Sequence, residues 1–327
     1  MSSSNKPVEF THVIHPANAE YFKLVARSAK DIRTARSGIQ FSCTKCMSTG
    51  PELRQCGRCK SVWYCSRECQ TKDWPYHKQS CKQVDGFGVR KLIEKLVSNA
   101  VLRLYLQTCF VLDLDLLRHP HLDKPFMARV DIGIEPADIL DFVNIFLGQG
   151  PSKKTIPGML QVNGFTAGTQ AQMVDLTPKR REIWREARER ANSSGCRGDS
   201  VGLVEFTNGG NKNINSITMP VHIESAAMRL VKEAEPFPMV SAITGEVMIR
   251  PFSTEACMEF INTHIRADKK NQLLLRTEMR PSDIQIIHDA AANSSSVSAL
   301  ILNEKLAREH IYKSLLAFAK KDVLAEN

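Results

Sequence analysis

Long apolar runs are missing from this 327-residue chain. No stretch of 18 or more uncharged apolar residues occurs, and the nearest candidate, 101–117, contains Arg103, Asp113 and Asp115. A segment carrying those charges is not expected to span a bilayer, and no membrane partner is expected. The opening six residues, Met1 to Lys6, hold no apolar h-region, so no secretory leader is expected. The protein is therefore expected in a reducing, intracellular compartment, nuclear or cytoplasmic. Also absent are a P-loop, a dinucleotide-binding glycine fingerprint, a serine nucleophile elbow and any internal repeat. The composition lacks the bias of a disordered or fibrous chain, at 43% hydrophobic and 24% charged.

What is present is unevenly spread. Residues 1–84 hold 14 Lys and Arg against six Asp and Glu, a net +8, whereas the rest holds 30 against 29, a net +1. Seven of the ten cysteines fall between Cys43 and Cys81. They read Cys43-x2-Cys46-x9-Cys56-x2-Cys59-x5-Cys65-x3-Cys69-x7-His77-x3-Cys81, which supplies seven sulfurs and one imidazole. Structural zinc takes four ligands, so eight make two closed sites. Seven cysteines cannot all pair as disulfides, and the stretch has too few large apolar residues to fold on packing alone.

The two C-x-x-C pairs suit tight knuckles. Cys65 and Cys69, like His77 and Cys81, are four apart, which puts each pair on one face of a helix. Spacing leaves two sharings open, one sequential and one that combines a knuckle with a helical pair. Either way no coordination position is left for a reacting water. Seven thiolates and two zinc ions would lower the charge of the N-terminal quarter to about +5. That weakens a nucleic-acid reading, and the basic residues read as a solvated face.

The run Tyr64-Cys65-x3-Cys69-Gln70-x3-Trp74-x2-His77-Lys78-x2-Cys81, with both upstream C-x-x-C pairs, resembles the MYND zinc finger over residues 43–81. The resemblance implies interleaved sites: Cys43, Cys46, Cys65 and Cys69 for one zinc, and Cys56, Cys59, His77 and Cys81 for the other. It also implies recruitment of a protein rather than chemistry. Some members of the family bind an extended Pro-x-Leu-x-Pro segment. Two contact positions of that face match Gln70 and Trp74, while the third, a serine in the family, is Gly57 here. An exposed indole would give a proline ring a flat platform, and Gln70 could bond a peptide backbone. The competing reading puts Trp74 in the finger's own small core.

The fold expectation is a small two-zinc finger with interleaved sites followed by a mixed α+β globular region. Residues 1–42 form a polar, basic lead, with a helix near 17–36 and with His12 and His15 solvated. Residues 85–327 form the α+β region, with loop breaks near 148–158 and 192–200. Helices are expected within 89–119, at 137–147 stopping at Gly148, from a Thr177 cap to 192, and near 253–267, 283–292 and 302–320. A capping box of Ser282 and Gln285 is expected to open the 283–292 helix. Strands are expected at 126–134 and 159–165, and hairpins from 201–206 with 214–223 and from 240–243 with 247–249.

The expected function is zinc-dependent protein–protein interaction, of an adaptor or recruitment kind that includes transcriptional settings. The alternative is an enzyme acting from residues 85–327, with the finger as a targeting module. A SET methyltransferase would show an Asn-His motif, and none occurs. An iron and 2-oxoglutarate hydroxylase would use His121-x-Asp123 with His222 and Arg229, but His121 follows Pro120 at a helix end rather than standing in a strand. Cys109 and Cys257 read as small core residues, and Cys196 lies in a loop without a nucleophile signature. No catalytic residue is assigned.

Overall fold

The computed structural model describes residues 43–46, 48, 50, 52–58, 62–78, 81, 89–149, 155–167, 176–208, 216–240 and 247–313. The expected helix near 17–36, His12, His15 and Cys59 lie outside them. The finger contains two short strands, β1 (Arg54–Gln55) and β2 (Trp63–Tyr64), paired antiparallel, and a helix, α1 (Arg67–His77). Its buried cluster is small: among the described residues, Val62 and Tyr64 are the buried large apolar residues beside Cys43, Cys56 and Cys81.

The chain then enters α2 (Val89–Ser98) and α3 (Ala100–Asp113). Buried Asn99 separates them, because its Oδ1 caps α3 by accepting from Val101 N at 3.0 Å and Leu102 N at 3.1 Å. There follow β3 (Met127–Pro136), α4 (Ile139–Phe146), β4 (Pro157–Ala167), α5 (Pro178–Ser193), β5 (Val201–Asn208) and β6 (Ile217–His222). The chain continues through α6 (Ser225–Glu233), β7 (Phe237–Val240), β8 (Val247–Arg250), α7 (Thr254–Ala267), β9 (Arg276–Glu278), α8 (Pro281–Ala291) and α9 (Val297–Arg308). Thr177 caps α5 with Pro178 in its first turn, as its sequence predicts, and Gly148 takes φ +76° just past α4.

Five expectations need correction. Helix α9 spans Val297–Arg308 and so starts five residues before the expected 302. Helix α1 ends at His77, so Cys81 lies beyond it rather than on the same helical face. The α8 box is made by Arg280 and Asp283, whose carboxylate reaches back to Arg280 N at 2.9 Å; Ser282 and Gln285 do not form it. Pro281 at the first turn moves the start of the helix two residues earlier than expected. The second hairpin begins at Phe237 rather than 240. The sequence reading also missed α6 and the three-residue β9, neither of which carries a side-chain cap or a long periodic pattern.

Five strands form one mixed sheet in the order β6-β5-β3-β4-β9, parallel only between β3 and β5. Along β3 the apolar set Ala128, Val130, Ile132 and Ile134 alternates with Arg129, Asp131, Gly133 and Glu135. Such alternation ordinarily marks a strand with one wet face. Here both faces are covered. On the apolar side, Phe110 of α3 packs on Phe165 (ring centroids 5.0 Å apart) and on Phe126 (5.9 Å). On the other side α5 packs through Ile183 on Met127 and Leu203, and α8 and α9 cover β3 and β4.

The polar residues of that second face are therefore buried, and each needs a partner. Glu205 takes Arg180 Nη2 at 2.6 Å and Arg129 Nη2 at 3.4 Å, and Thr207 donates to Asp131. Lys305 of α9, wholly buried, bonds Glu135, Asn163 (3.2 Å) and Gln161 (3.4 Å). At the end of α9 the buried Glu309 carboxylate accepts from Asn262 Nδ2 at 2.6 Å and from Arg266. Burial acts to raise the Glu309 pKa, but the charges of Arg266, Lys305 and Arg308 outweigh it and hold the group below the ordinary value. Asn262 also continues the sheet. Beyond the three pairs that β4 makes with β9, its Oδ1 accepts from Val162 N and its Nδ2 donates to Val162 O, both at 2.7 Å.

Asn262→Ala should destabilise the protein by about 2–4 kcal/mol in urea unfolding, because it strands both Val162 backbone groups and a Glu309 oxygen. A pH dependence follows as well. A carboxyl held below its ordinary value of 4.5 contributes stability above that pH and loses it as pH falls through the folded value. Unfolding midpoints should therefore drop less between pH 6 and pH 3 for Glu309→Gln than for the unsubstituted protein.

Candidate metal centre

The donors of the finger come from three kinds of backbone. Cys43 and Cys46 lie in a turn closed by Cys43 N donating to Ser48 O at 2.7 Å. Cys65 precedes α1, and Cys69 sits in its first turn. Ser66 caps that helix by accepting from Cys69 N at 3.2 Å, which fixes both thiols against the helix start. His77 ends α1, and Tyr64 OH donates to Asp73 Oδ2 at 2.6 Å, tying the middle of the helix to β2.

These elements gather the donors into two groups. The sulfurs of Cys43, Cys46, Cys65 and Cys69 all lie within 4.8 Å of one another, as do the donor atoms of Cys56, His77 and Cys81. The groups join residues far apart in sequence: Cys46 Sγ is 3.4 Å from Cys65 Sγ, and Cys56 Sγ is 3.7 Å from Cys81 Sγ. Across the start of α1, Cys65 Sγ and Cys69 Sγ are 3.6 Å apart. A zinc ion with Zn–S bonds of about 2.3 Å in a tetrahedron sets its sulfurs about 3.8 Å apart, so the donor sets fit that ion.

The thiols of the first group are unequal without a cation. Burial raises Cys43. Burial also acts to raise Cys46, but the hydrogen bonds from Ser48 outweigh it and bring the thiol down to about 6. Burial and its thiol neighbours push Cys69 up to about 12 despite the bond from Ser66. Burial lowers His77 against the opposing charge of Asp73, which favours the neutral, metal-binding imidazole.

Trp74 and Tyr76 are exposed, at 41% and 63%, while Trp74 also meets His77 edge-on at 5.9 Å. Gln70 lies half-buried one helical turn before Trp74 on the same face of α1. Gly57 is exposed, and a Cβ built there meets no atom within 4 Å. Tyr76 was not singled out from the sequence, although its place between Trp74 and His77 was visible.

Outside the finger, Asp123 is exposed on the turn after Pro120 and Arg229 is exposed on α6. Neither these nor His121 joins His222 in a metal-ligand group among the described residues; His222 lies beside Cys196 and Asp199 instead. Cys109 and Cys257 are buried in the core, and burial together with the neighbouring Cys257 lifts the Cys109 thiol well above its ordinary range. No helix among the described residues is long and apolar enough to cross a membrane.

Residues 43–81 match the MYND finger family. Similar proteins include SET domain-containing protein 14 of Caenorhabditis elegans, 40% identical over 50 residues, which are 15% of this chain and 12% of that one. N-lysine methyltransferase SMYD2 of Homo sapiens is 46% identical over 46 residues, 14% of this chain and 11% of its own. SET domain and MYND-type zinc finger protein 6 of Schizosaccharomyces pombe is 32% identical over 85 residues, 26% and 17% respectively. The chain thus spans under a fifth of the length of these relatives. No solved structure matches. Residues 85–312 match a family described as a domain of unknown function, DUF8205. With its described cysteines gathered as such a finger requires, the N-terminal module is a zinc-binding MYND finger, and through the larger region that follows it the chain belongs to the DUF8205 family.

Proposed function

We propose that this protein recruits a partner protein through its finger, which holds two zinc ions in interleaved sites. Cys43, Cys46, Cys65 and Cys69 hold one ion, and Cys56, Cys59, His77 and Cys81 the other. The close approaches of Cys46 to Cys65 and of Cys56 to Cys81 support this sharing, since each joins a cysteine of an upstream C-x-x-C pair to one that flanks α1. The ions are structural. They substitute for a core that two large apolar residues cannot supply, because structural zinc contributes on the order of 10–16 kcal/mol. The reading suits a reducing, intracellular compartment, where seven thiols stay free to bind metal.

The exposed Trp74 carries the interaction reading. Its indole and the Gln70 amide share one face of α1, so an extended, proline-containing segment can stack a ring on the first and bond its backbone to the second. The open space at Gly57 marks where the family's serine hydroxyl would add a contact. A second reading, catalysis in residues 85–327 with the finger as targeting module, draws on the methyltransferase names of the relatives and on a crevice beside Asp131, Glu135, Asn163 and Asp283. Methyl transfer from labelled S-adenosylmethionine to protein substrates would favour it.

Chelation of the full chain should release two ions from the finger and open residues 43–81 to limited proteolysis while 89–313 stays protected. Protection retained throughout would overturn the structural role. Titration with a Pro-x-Leu-x-Pro peptide, followed by tryptophan emission and calorimetry, should show binding weakened about tenfold or more by Trp74→Ala, roughly 1.4 kcal/mol, with zinc content unchanged. Gly57→Ser should strengthen the same binding. An unaltered affinity in Trp74→Ala would move the binding surface away from α1.

A further inference from the structure

We infer that Cys196, Asp199 and His222 form a third metal site, separate from the finger, for a borderline divalent cation such as Zn2+. Their donor atoms lie within 4.8 Å of one another, with His222 Nε2 2.8 Å from Asp199 Oδ2. The three residues come from two places. Cys196 and Asp199 lie on the loop after α5, and His222 ends the edge strand β6, directly opposite Val201 of β5. The sheet register therefore delivers the imidazole to the loop.

The loop is held in shape before any ion arrives. Gly195 takes φ +83°, a turn that a side chain would strain, and Cys196 N donates to Ala191 O at 2.9 Å. Asp199 N donates to Cys196 O at 3.2 Å, closing the segment. Beneath it lies the buried guanidinium of Arg188. Its Nη2 donates to Cys196 O at 2.8 Å and to Arg197 O at 3.4 Å, its Nη1 to Asp199 O, and its Nε to Asn192 Oδ1 at 3.0 Å. Arg188 thus binds loop carbonyls, while the Asp199 carboxylate meets His222 and the Cys196 thiol makes a long 3.8 Å hydrogen bond to Ser194 O that a metal bond would replace. Preorganisation of this kind lowers the ordering cost of binding a ligand.

The donor set selects the cation. One sulfur, one imidazole nitrogen and one carboxylate oxygen suit zinc and its neighbours over Mg2+ or Ca2+, which favour oxygen alone. Three protein ligands leave a fourth position open, unlike the closed finger sites. Side-chain exposure of 38% at His222 and 28% at Asp199 gives the cation a route in from solvent. On entry the ring proton moves to Nδ1 and the thiol proton leaves to solvent, so one thiolate and one carboxylate balance the ion's two charges.

The test uses the full chain with its finger already zinc-loaded. Bound metal is counted by native mass spectrometry during titration with Zn2+, and thermal unfolding is recorded with and without added Zn2+. Wild type should take up one further ion and gain melting temperature. Cys196→Ser and His222→Ala should bind that ion at least tenfold more weakly and melt unchanged on its addition. The readout is a difference between variants, so it holds whatever number of ions the finger carries. No further ion in wild type, or one that persists in both variants, overturns the proposal. Should either variant misfold, Asp199→Asn decides: its neutral amide keeps the side-chain shape, and an unchanged affinity there also overturns the proposal.

Discussion

Lys305, wholly buried against Glu135, is the contact on which the larger region depends. The central sheet has a polar second face, and α5, α8 and α9 cover it. Taking an ammonium or a carboxylate out of water costs several kcal/mol per ion after relaxation, so such a face is tolerable only when the charges on it are paired. Lys305 neutralises Glu135 and bonds Asn163 and Gln161, while Tyr312 donates to the other oxygen of Glu135. A few residues on, Glu309 collects Asn262 and Arg266. The end of α9 is thereby locked to β3, β4 and α7 at once. Slipping that helix by one turn would leave buried charges on both sides unmatched, so the seam specifies position more than it adds stability.

The finger solves the opposite problem. Among its described residues few large apolar side chains are buried, and seven metal-binding donor atoms converge in two groups. The first turn and last residue of α1 carry candidate metal donors, and another face carries Gln70 and Trp74. Trp63 of β2 connects this module to the larger region, since the guanidinium of buried Arg90 lies 4.5 Å from its ring centroid while bonding Glu94 at 3.3 Å. A desolvated cation–π contact of this kind is worth about 2 kcal/mol.

Much of the local structure was legible. The Cys and His spacing announced the finger, because metal ligands sit at short, fixed intervals along the chain. Thr177-Pro178 marked the start of α5 and Gly148 the end of α4, since caps and left-handed turns depend on neighbouring residues only. The α8 cap was misread because Asp283, not Ser282, reaches back to the Arg280 backbone, a competition between adjacent side chains that spacing cannot rank. The alternation in β3 was read correctly as a strand, although such a pattern ordinarily marks one wet face. Polar residues that are matched by partners over seventy positions away look, in sequence, like polar residues in water.

The sequence by itself determined the finger's family, the zinc chemistry of its donors and the location of most helices and strands, because each of these rests on contacts between near neighbours. Only the tertiary structure decided that Trp74 stands exposed rather than in the finger's core, that Asn262 completes the ladder of β4, and that Lys305 meets Glu135. It alone brought His222 to Cys196 and Asp199 and kept it from His121 and Asp123. Those outcomes turn on sheet order and register, which bring distant residues together through the matching of whole faces, and no local pattern encodes that matching.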